Sequence, residues 1–364
     1  MVSVRIENVW KYYGKTVAVK DLNLECPENE FLCILGPSGC GKSSTLRMLA
    51  GLEHISSGDV YFGERRVNDL APKDRDIAMV FENYALYPHR SVFENISNPL
   101  RLRKMDATAI RERVQRAATL LEIDGLLDRK PAQLSGGQKQ RVAIGRAIVR
   151  EPQLFLFDEP IAHLDAKLRA HMRGELKHLQ RRLATTTIYV THDQLEALSM
   201  ADHIAVMHEG VLQQFGTPAE IYSHPVNEWV AGFVGEPPMN FLDCRIERRD
   251  DAVAFRHPSF TLPVTAAQQQ ILNGASQESE IRIGVRPDDV AISMDSPGPA
   301  GVPASIFVTE LLGGDMLVEV ELGEDRIQVK TKPDFRGAIG DRCHIQFHTD
   351  RWHAFSRTDG RAYF

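Results

Sequence analysis

The chain has 364 residues, of which 43% are hydrophobic, and its formal net charge is -6. A chain of this length can bury a large core and is expected to form two or three domains. It has no long run of Lys and Arg to follow a phosphate backbone, so nucleic acid is not expected as a partner. It also has no run of roughly 18 to 20 apolar residues and no signal-peptide layout, so we expect a cytoplasmic protein.

Short apolar runs bounded by turn residues predict strands that are buried on both faces of a parallel sheet. They lie at Phe31–Leu35, 77–81, 154–157 and 187–190. Helical spacing predicts amphipathic surface helices at 107–127 and 165–183, and the region 88–150 is expected to form a helical insertion. From residue 236 onward the segments alternate with a period of two, which predicts a separate all-β domain at 236–364.

The first functional motif is a phosphate-binding loop. Residues 36–43, GPSGCGKS, satisfy GxxxxGK[ST] and stand between a predicted strand and a helix-compatible run. The backbone N–H groups of such a loop face a phosphate, Lys42 neutralises β and γ oxygens, and Ser43 ligates Mg²⁺. The expected nucleotide-binding residues are Gly36, Ser38, Gly39, Cys40, Gly41, Lys42, Ser43 and Ser44.

Five cysteines, Cys26, Cys33, Cys40, Cys244 and Cys343, form no CxxC pair and predict neither a disulfide framework nor a cysteine metal site. Cys40 lies inside the phosphate loop. Helix-end electrostatics would lower its pKa and make it oxidisable, whereas the alternative is a small space-filling residue.

Two carboxylates follow the strand at 154–157, at the sheet edge where α/β proteins bind ligands. We expect Asp158 to hold Mg²⁺ through water and Glu159 to act as general base for the attacking water.

The sequence LSGGQ at 134–138 predicts a second anion site. Ser135 is expected to cap a helix over 138–150, while Gly136 and Gly137 leave backbone N–H groups open to an anion. Such a site would serve the γ-phosphate bound by another copy of the chain. A plain N-capped helix is the alternative.

These motifs together resemble the nucleotide-binding subunit of ATP-binding cassette (ABC) transporters, over residues 3–235. The resemblance implies an α/β P-loop NTPase, a RecA-like parallel sheet core with a helical subdomain, that hydrolyses ATP to ADP and phosphate as a head-to-tail dimer. The partner's ATP would contact Ser135, Gly136, Gly137 and Gln138. Tyr13 would stack on adenine, with Trp10 and Tyr12 as alternatives, and His192 would contact the γ-phosphate.

Two positions depart from the family pattern. Position 82 is Glu where the family has Gln, and we expect Glu82 to keep a metal or water contact and to raise the pKa of the least solvated carboxyl nearby. Ala162 replaces the usual Ser of a dimer-contacting loop and removes one cross-dimer hydrogen bond, worth roughly 0.5 to 1.5 kcal/mol. Asp165 and the backbone are still expected to make the contacts of that loop.

The C-terminal region resembles the OB-like (TOBE) accessory domain of maltose-type carbohydrate importers, on residues 235–241 and 283–287. This implies import of a sugar, polyol or glycerol phosphate at the cytoplasmic face of the inner membrane. The implied partners are a second copy, two membrane permease subunits and, indirectly, a periplasmic or extracellular solute-binding protein. Polyamine, sulfate and iron importers share some of the sequence motifs of maltose-type importers. A nucleic-acid cassette ATPase and a metabolic P-loop kinase are the rival classes.

Overall fold

The computed structural model describes residues 2–249, 252–275, 279–295, 301–348 and 351–364. The chain divides into two compact units, Met1–Ala219 and Glu220–Phe364. This break precedes the expected boundary between 235 and 236, and the assignment of 1–235 and 236–364 as domains stays a prediction. Within the described ranges, no helix is long and apolar enough to cross a membrane.

The first unit contains two sheets and the helices that pack on them. Its strands are β1 (Val4–Tyr13), β2 (Thr16–Cys26), β3 (Phe31–Leu35), β4 (Ser57–Phe62), β5 (Arg65–Arg66), β6 (Ile77–Val80), β7 (Leu154–Asp158), β8 (Thr186–Thr191), β9 (His203–His208) and β10 (Val211–Gly216). Its helices are α1 (Lys42–Ala50), α2 (Val92–Leu102), α3 (Ala107–Leu120), α4 (Gly136–Ile148), α5 (Ala166–Leu183) and α6 (Gln194–Met200), and α7 (Pro218–Ser223) crosses the break. Short 3-10 turns occur at Pro72–Asp74, Asp124–Leu126 and Pro131–Gln133.

The central sheet has six strands in the order β10-β9-β3-β8-β7-β6. The four predicted strands are β3, β8, β7 and β6, and they are neighbours that pair in parallel. β9 joins β3 in parallel, and β10 returns antiparallel to β9. A second, antiparallel sheet has the order β2-β1-β4-β5. The predicted parallel sheet is therefore confirmed.

Alternating residues of the central strands enter different parts of the core, because successive side chains of a strand point to opposite faces. One set packs with α1 and with the antiparallel sheet: Leu32, Ile34, Leu154, Leu156, Ile188 and Val190. The other set forms a chain of aromatic contacts: Phe31, Phe155, Phe157 and Tyr189. Both faces of the sheet are consequently buried, as continuous apolar runs predict.

Helices α2, α3 and α4 lie between β6 and β7 and form the predicted helical insertion. α3 ends at Leu120, although helical spacing predicted it to continue to residue 127. Glu122 adopts a left-handed conformation with φ 55°, which interrupts the helix, and a 3-10 turn follows at Asp124–Leu126. Asp124 accepts hydrogen bonds from Gln115 and Thr119, so the turn is fastened to the helix that it ends.

The second unit consists mainly of two antiparallel five-stranded sheets. Its strands are β11 (Asn240–Arg249), β12 (Ala252–Arg256), β13 (Thr261–Pro263), β14 (Glu280–Val285), β15 (Val290–Ser293), β16 (Val302–Leu311), β17 (Met316–Leu322), β18 (Asp325–Thr331), β19 (Arg342–Phe347) and β20 (Trp352–Ser356). The sheets have the orders β13-β12-β11-β14-β20 and β15-β19-β16-β17-β18. A shared core with Leu242, Ile283, Val318 and Ile345 lies between them. The predicted β architecture is confirmed.

The second unit also contains helices that the period-two pattern did not predict, α8 (Glu228–Phe233) and α9 (Ala266–Ala275). α9 begins at a capping box in which the Gln268 N–H donates to Thr265 Oγ1 and the Thr265 N–H donates to Gln268 Oε1. Thr-Ala-Ala-Gln is a recognisable helix start. A 3-10 turn at Pro287–Asp289 completes the unit.

We expect Ser91→Ala to lower the free energy of unfolding by about 1 kcal/mol, because it removes the cap of α2. Ser91 Oγ accepts the Glu94 N–H at 3.1 Å, and Glu94 Oε2 accepts the Ser91 N–H at 2.8 Å. Ser91→Asn is the matched control because its amide oxygen restores the cap. Urea denaturation checks both variants, and an equal loss of stability in the two would contradict the assignment.

Candidate nucleotide site

The phosphate loop joins β3 to α1, and close backbone contacts determine where it needs glycine. Gly41 has φ 104°, and a Cβ there would lie 2.5 Å from the Ala18 carbonyl oxygen. A Cβ on Gly36 would lie 2.2 Å from the Met207 carbonyl oxygen. Any other residue at either position would displace the loop, because no side chain tolerates such distances. Ser38 and Gly39 stand exposed at the tip.

Lys42 begins α1, at the end of the helix whose backbone carries partial positive charge. Its side chain is buried, and Nζ donates to the carbonyl oxygens of Gly36 at 2.8 Å and Pro37 at 2.9 Å. The ammonium therefore lies within the curl of the loop, beside the backbone groups that would face a phosphate.

Cys40 is buried in the same loop, with its Sγ 4.0 Å from Lys42 Nζ. Burial raises the pKa of this thiol above its ordinary value, and the opposing effect of Lys42 is smaller. The expected lowering of the Cys40 pKa is therefore wrong, and the space-filling role is favoured.

Two of the three residues predicted to hold Mg²⁺, Ser43 and Asp158, are direct neighbours. Ser43 is the last residue of the loop motif, Asp158 is the last residue of β7, and Ser43 Oγ donates to Asp158 Oδ1 at 3.1 Å. Burial raises the pKa of Asp158, and the negative charges of Glu159 and Glu82 raise it further. A hydroxyl and a carboxylate at this separation provide the oxygen ligands that Mg²⁺ prefers.

Glu159 and His192 also meet. Glu159 Oε2 lies 2.8 Å from His192 Nδ1, although the two residues follow different strands, β7 and β8. Glu159 has φ 44°, and its N–H donates to the Val190 carbonyl oxygen at 3.0 Å. The carboxylate predicted to act as general base and the histidine predicted to contact the γ-phosphate thus form a hydrogen-bonded pair.

Tyr13 is half exposed at the end of β1, near the phosphate loop. Its hydroxyl lies 3.4 Å from Ser44 Oγ, and Lys11 Nζ lies 4.7 Å from its ring centroid. Tyr12 instead stacks on Trp10 with ring centroids 5.8 Å apart. Of the three aromatic candidates for adenine stacking, the geometry favours Tyr13.

We expect Tyr13→Ala to weaken ATP binding on the order of tenfold, because stacking of an aromatic ring on a base contributes about 1 to 3 kcal/mol. Tyr12→Ala is a matched control, since both tyrosines are 43% exposed. Equilibrium binding of a fluorescent ATP analogue to the full-length chain measures both. Weaker binding by the Tyr12 variant alone would reassign the adenine contact.

The LSGGQ segment forms the N-terminus of α4, which begins at Gly136 rather than at residue 138 and ends at Ile148 rather than at 150. Ser135 Oγ accepts the Gln138 N–H at 3.3 Å, and Gln138 Oε1 accepts the Ser135 N–H at 3.0 Å. Ser135 and Gly136 are exposed, whereas Gly137 is buried. A Cβ on Gly137 would lie 3.0 Å from the side chain of Leu168 in α5.

Glu82 contacts residues 161–165, the segment that the family resemblance predicts at a dimer contact and that we call the dimer loop. The sequence did not predict this contact. Glu82 Oε1 lies 3.3 Å from His163 Nε2, and both side chains are more than half exposed. The Ala162 N–H donates to the Glu159 carbonyl oxygen at 3.3 Å. Asp165 caps α5 by accepting the Leu168 N–H at 3.0 Å.

Two arginines at the site also escaped prediction. Arg146 of α4 donates to the carbonyl oxygens of Tyr84 and Ala85, in the loop that follows Glu82. Arg169 of α5 binds the dimer loop and Asp193, which follows His192. Both arginines stand in amphipathic helices, where spacing alone predicts an exposed cation. The one available signal was Asp193, a helix-capping residue directly after His192.

Comparison with known proteins gives three family matches. The ABC transporter family model matches residues 19–162, the MalK OB fold domain matches 235–290, and the TOBE domain matches 283–355. Among solved structures, the chain resembles the ATP-binding cassette MJ0796, a post-hydrolysis dimer bound to ADP and phosphate. The TM-score is 0.54 at 33% identity, and the match covers 59% of this chain and 98% of that chain.

Relatives extend the match to the whole chain. The trehalose/maltose import ATP-binding protein MalK of Thermococcus litoralis is 48% identical over 100% of both chains. The sn-glycerol-3-phosphate import ATP-binding protein UgpC of Salmonella typhi is 46% identical over 99% of both. The oligosaccharides import ATP-binding protein MsmX of Bacillus subtilis is 46% identical over 99% of this chain and 100% of that protein. The chain belongs to the ATP-binding proteins of ABC transporters, a family of ATPases.

Proposed function

We propose that this chain hydrolyses ATP as one half of a head-to-tail homodimer and thereby powers import of a carbohydrate or related solute. The observation that carries the proposal is the pair formed by Glu159 and His192, 2.8 Å apart. Beside it are Asp158, the last residue of β7, and Ser43, the last residue of the phosphate loop motif. A carboxylate hydrogen-bonded to an imidazole beside a phosphate loop suits the attack of water on a γ-phosphate.

Within the proposed site, each group has a separate task. The backbone of residues 36–43 and the ammonium of Lys42 bind the phosphates, and Tyr13 stacks on adenine. Ser43 and Asp158 would hold Mg²⁺, which when bound neutralises charge on the phosphate oxygens. Glu159 accepts a proton from the attacking water, and His192 holds the Glu159 carboxylate and contacts the γ-phosphate.

The dimer follows from the position of the LSGGQ segment. Ser135 and Gly136 are exposed at the N-terminus of α4, a helix end that attracts anions. In the proposed arrangement they contact the ATP of the partner copy, together with Gly137 and Gln138, while Ala162 and Asp165 lie at the dimer contact. The dimeric state of MJ0796 supports this arrangement.

The names of the full-length relatives support the solute class, which covers sugars, oligosaccharides and glycerol phosphate. In this proposal two separate permease subunits cross the membrane, and the chain binds them at the cytoplasmic face of the membrane. A periplasmic or extracellular solute-binding protein delivers the solute, so the solute itself never contacts this chain.

We expect Glu159→Gln to lower kcat for ATP hydrolysis by at least about 100-fold, because it removes the general base. Its affinity for ATP should stay within about twofold of wild type, since Glu159 does not bind the phosphates in this scheme. Glu64→Gln, at an exposed hairpin position, is the matched control. Phosphate release by the purified chain measures kcat. Uptake of maltose, trehalose, glycerol 3-phosphate and spermidine by cells that carry each variant tests the coupling.

The proposal predicts loss of sugar or glycerol phosphate uptake in the Glu159→Gln cells and unchanged spermidine uptake. A wild-type chain without ATPase activity would refute the enzymatic role. Loss of spermidine uptake alone would replace the solute class with a polyamine.

We expect Glu82→Gln to raise the Mg²⁺ concentration for half-maximal ATPase by several-fold while kcat changes less than about threefold. The substitution removes one negative charge that acts on Asp158 and keeps an oxygen that can contact His163. ATPase of the assembled transporter, titrated with Mg²⁺, measures both quantities. An unchanged rate together with an unchanged Mg²⁺ dependence would exclude a role of Glu82 at the metal.

A further inference from the structure

Arg169 makes three polar contacts, although the sequence predicted no role for this residue. Nη2 donates to the carbonyl oxygens of Ala162 and Leu164, each at 3.1 Å. Nη1 lies 3.2 Å from Asp193 Oδ2. The two carbonyls belong to the segment after Glu159, and Asp193 is the residue after His192. One guanidinium therefore binds both segments that carry the catalytic pair.

Asp193 fixes the backbone on its own side of this contact. Its Oδ1 accepts the N–H groups of Leu195 at 2.8 Å and Glu196 at 3.2 Å and so caps α6. Its own N–H donates to Thr191 Oγ1 at 3.0 Å. His192 thus stands between two residues whose backbone is held by hydrogen bonds, and the remaining carboxylate oxygen of Asp193 is directed to Arg169.

The segment with His192 is in turn anchored in the interior. Glu196 is 2% exposed, and its Oε2 accepts the hydroxyls of Thr191 at 2.7 Å and Tyr189 at 2.8 Å. Tyr189 is fully buried in the central sheet. A buried carboxylate with two hydroxyl donors keeps β8 and α6 in one arrangement, because leaving it unpaired would be costly.

The segment with Glu159 is held by backbone turns, by two buried apolar side chains and by Arg169. Ile161 is 0% exposed and Leu164 is 5% exposed. The Glu159 N–H donates to the Val190 carbonyl oxygen, and the Ala162 N–H donates to the Glu159 carbonyl oxygen. The Leu164 N–H donates in the same way to the Ile161 carbonyl oxygen, and Arg169 adds its two hydrogen bonds to the carbonyl oxygens of Ala162 and Leu164. Its side chain is 30% exposed and that of Asp193 is 19% exposed, so solvent screens their ion pair only in part.

We infer that Arg169 is a positioning residue that sets the geometry between Glu159 and His192 by tying their two segments together. The inference rests on the proposed function. Arg169 acts through the backbone and through Asp193. Within the part of the chain that the structure describes, none of its side-chain hydrogen bonds reaches the phosphate loop. Its loss should therefore lower turnover more than nucleotide binding, because a misplaced base slows catalysis steeply.

The chemistry of the site requires arginine rather than a generic cation. A guanidinium has five N–H donors on three nitrogen atoms in a rigid plane, and two of these nitrogens can serve two carbonyls and a carboxylate at once. A lysine ammonium is a single point at the end of a flexible chain. It can keep the ion pair with Asp193 or reach the carbonyls, but it cannot reproduce all three contacts.

The test compares Arg169→Met, Arg169→Lys, Asp193→Asn and the double variant Arg169→Met/Asp193→Asn in the full-length chain. Asp193→Asn keeps an amide oxygen to cap α6 but loses the ion pair with Arg169. Arg182→Met is the control, since Arg182 is exposed on the same helix. For each variant we would measure kcat and KM for ATP, and the thermal midpoint of unfolding.

We expect kcat of Arg169→Met to fall on the order of 10-fold to 100-fold with KM within about twofold. Arg169→Lys should be intermediate, and the double variant should be no slower than Arg169→Met, because the two residues act as one unit. Arg182→Met should match wild type. If Arg169→Met does not fold, kcat and KM of Arg169→Lys and Asp193→Asn are compared with those of wild type instead.

A wild-type kcat in the Arg169 variants, with or without a lower thermal midpoint, would overturn the inference and leave the proposed function intact. The inference would also be overturned if the losses of kcat in Arg169→Met and Asp193→Asn were additive in the double variant. An inactive wild-type chain would instead refute the proposed function, and the inference with it.

Discussion

Parallel pairing of β3, β8 and β7 is the constraint on which the nucleotide site depends. Leu35 pairs with Thr191, and Asp158 pairs with Val190, so the three strands end at one edge of the sheet. Whatever follows each strand must emerge there: the phosphate loop after β3, His192 after β8 and Glu159 after β7. Three segments far apart in sequence therefore share a site because their strands share a register.

The same edge contains an unfavourable backbone conformation, and its neighbours compensate for it. Glu159 has a left-handed φ of 44°, a conformation that costs roughly 1 to 2 kcal/mol for a residue with a side chain. The bond from its N–H to Val190 and the contact of its carboxylate with His192 offset that cost. The phosphate loop meets similar demands with glycine, so the two loops accommodate tight turns by different means.

Much of this arrangement could be predicted from the sequence, because its signals are local. Continuous apolar runs predicted the four central strands, and GxxxxGK[ST] with its flanking elements predicted the phosphate loop. The end of α3 could not be predicted, since the residue that turns the chain is Glu122 and not a glycine. α9 was overlooked although its capping box is visible at Thr265.

The arginines required the folded chain. Arg146 and Arg169 bind backbone carbonyls of loops outside their own helices, and a carbonyl leaves no trace in the sequence. Their spacing in the helices indicates only an amphipathic surface. Glu82 presents the same difficulty in another form: the resemblance marked it as unusual, but its neighbour His163 follows only from the positions of two loops.

The capping box of α4 has a consequence for how tightly two copies would hold a shared nucleotide. Ser135 Oγ already has a donor in the Gln138 N–H, and Gln138 Oε1 already has one in the Ser135 N–H. An arriving phosphate would take its hydrogen bonds from donors outside the box, such as the Ser135 hydroxyl and the Gly136 N–H, and each such bond contributes about 0.5 to 1.5 kcal/mol net. In the proposed dimer, closure at this helix end would depend on a small number of such bonds and would be easily reversed. The site could therefore reopen after each turnover.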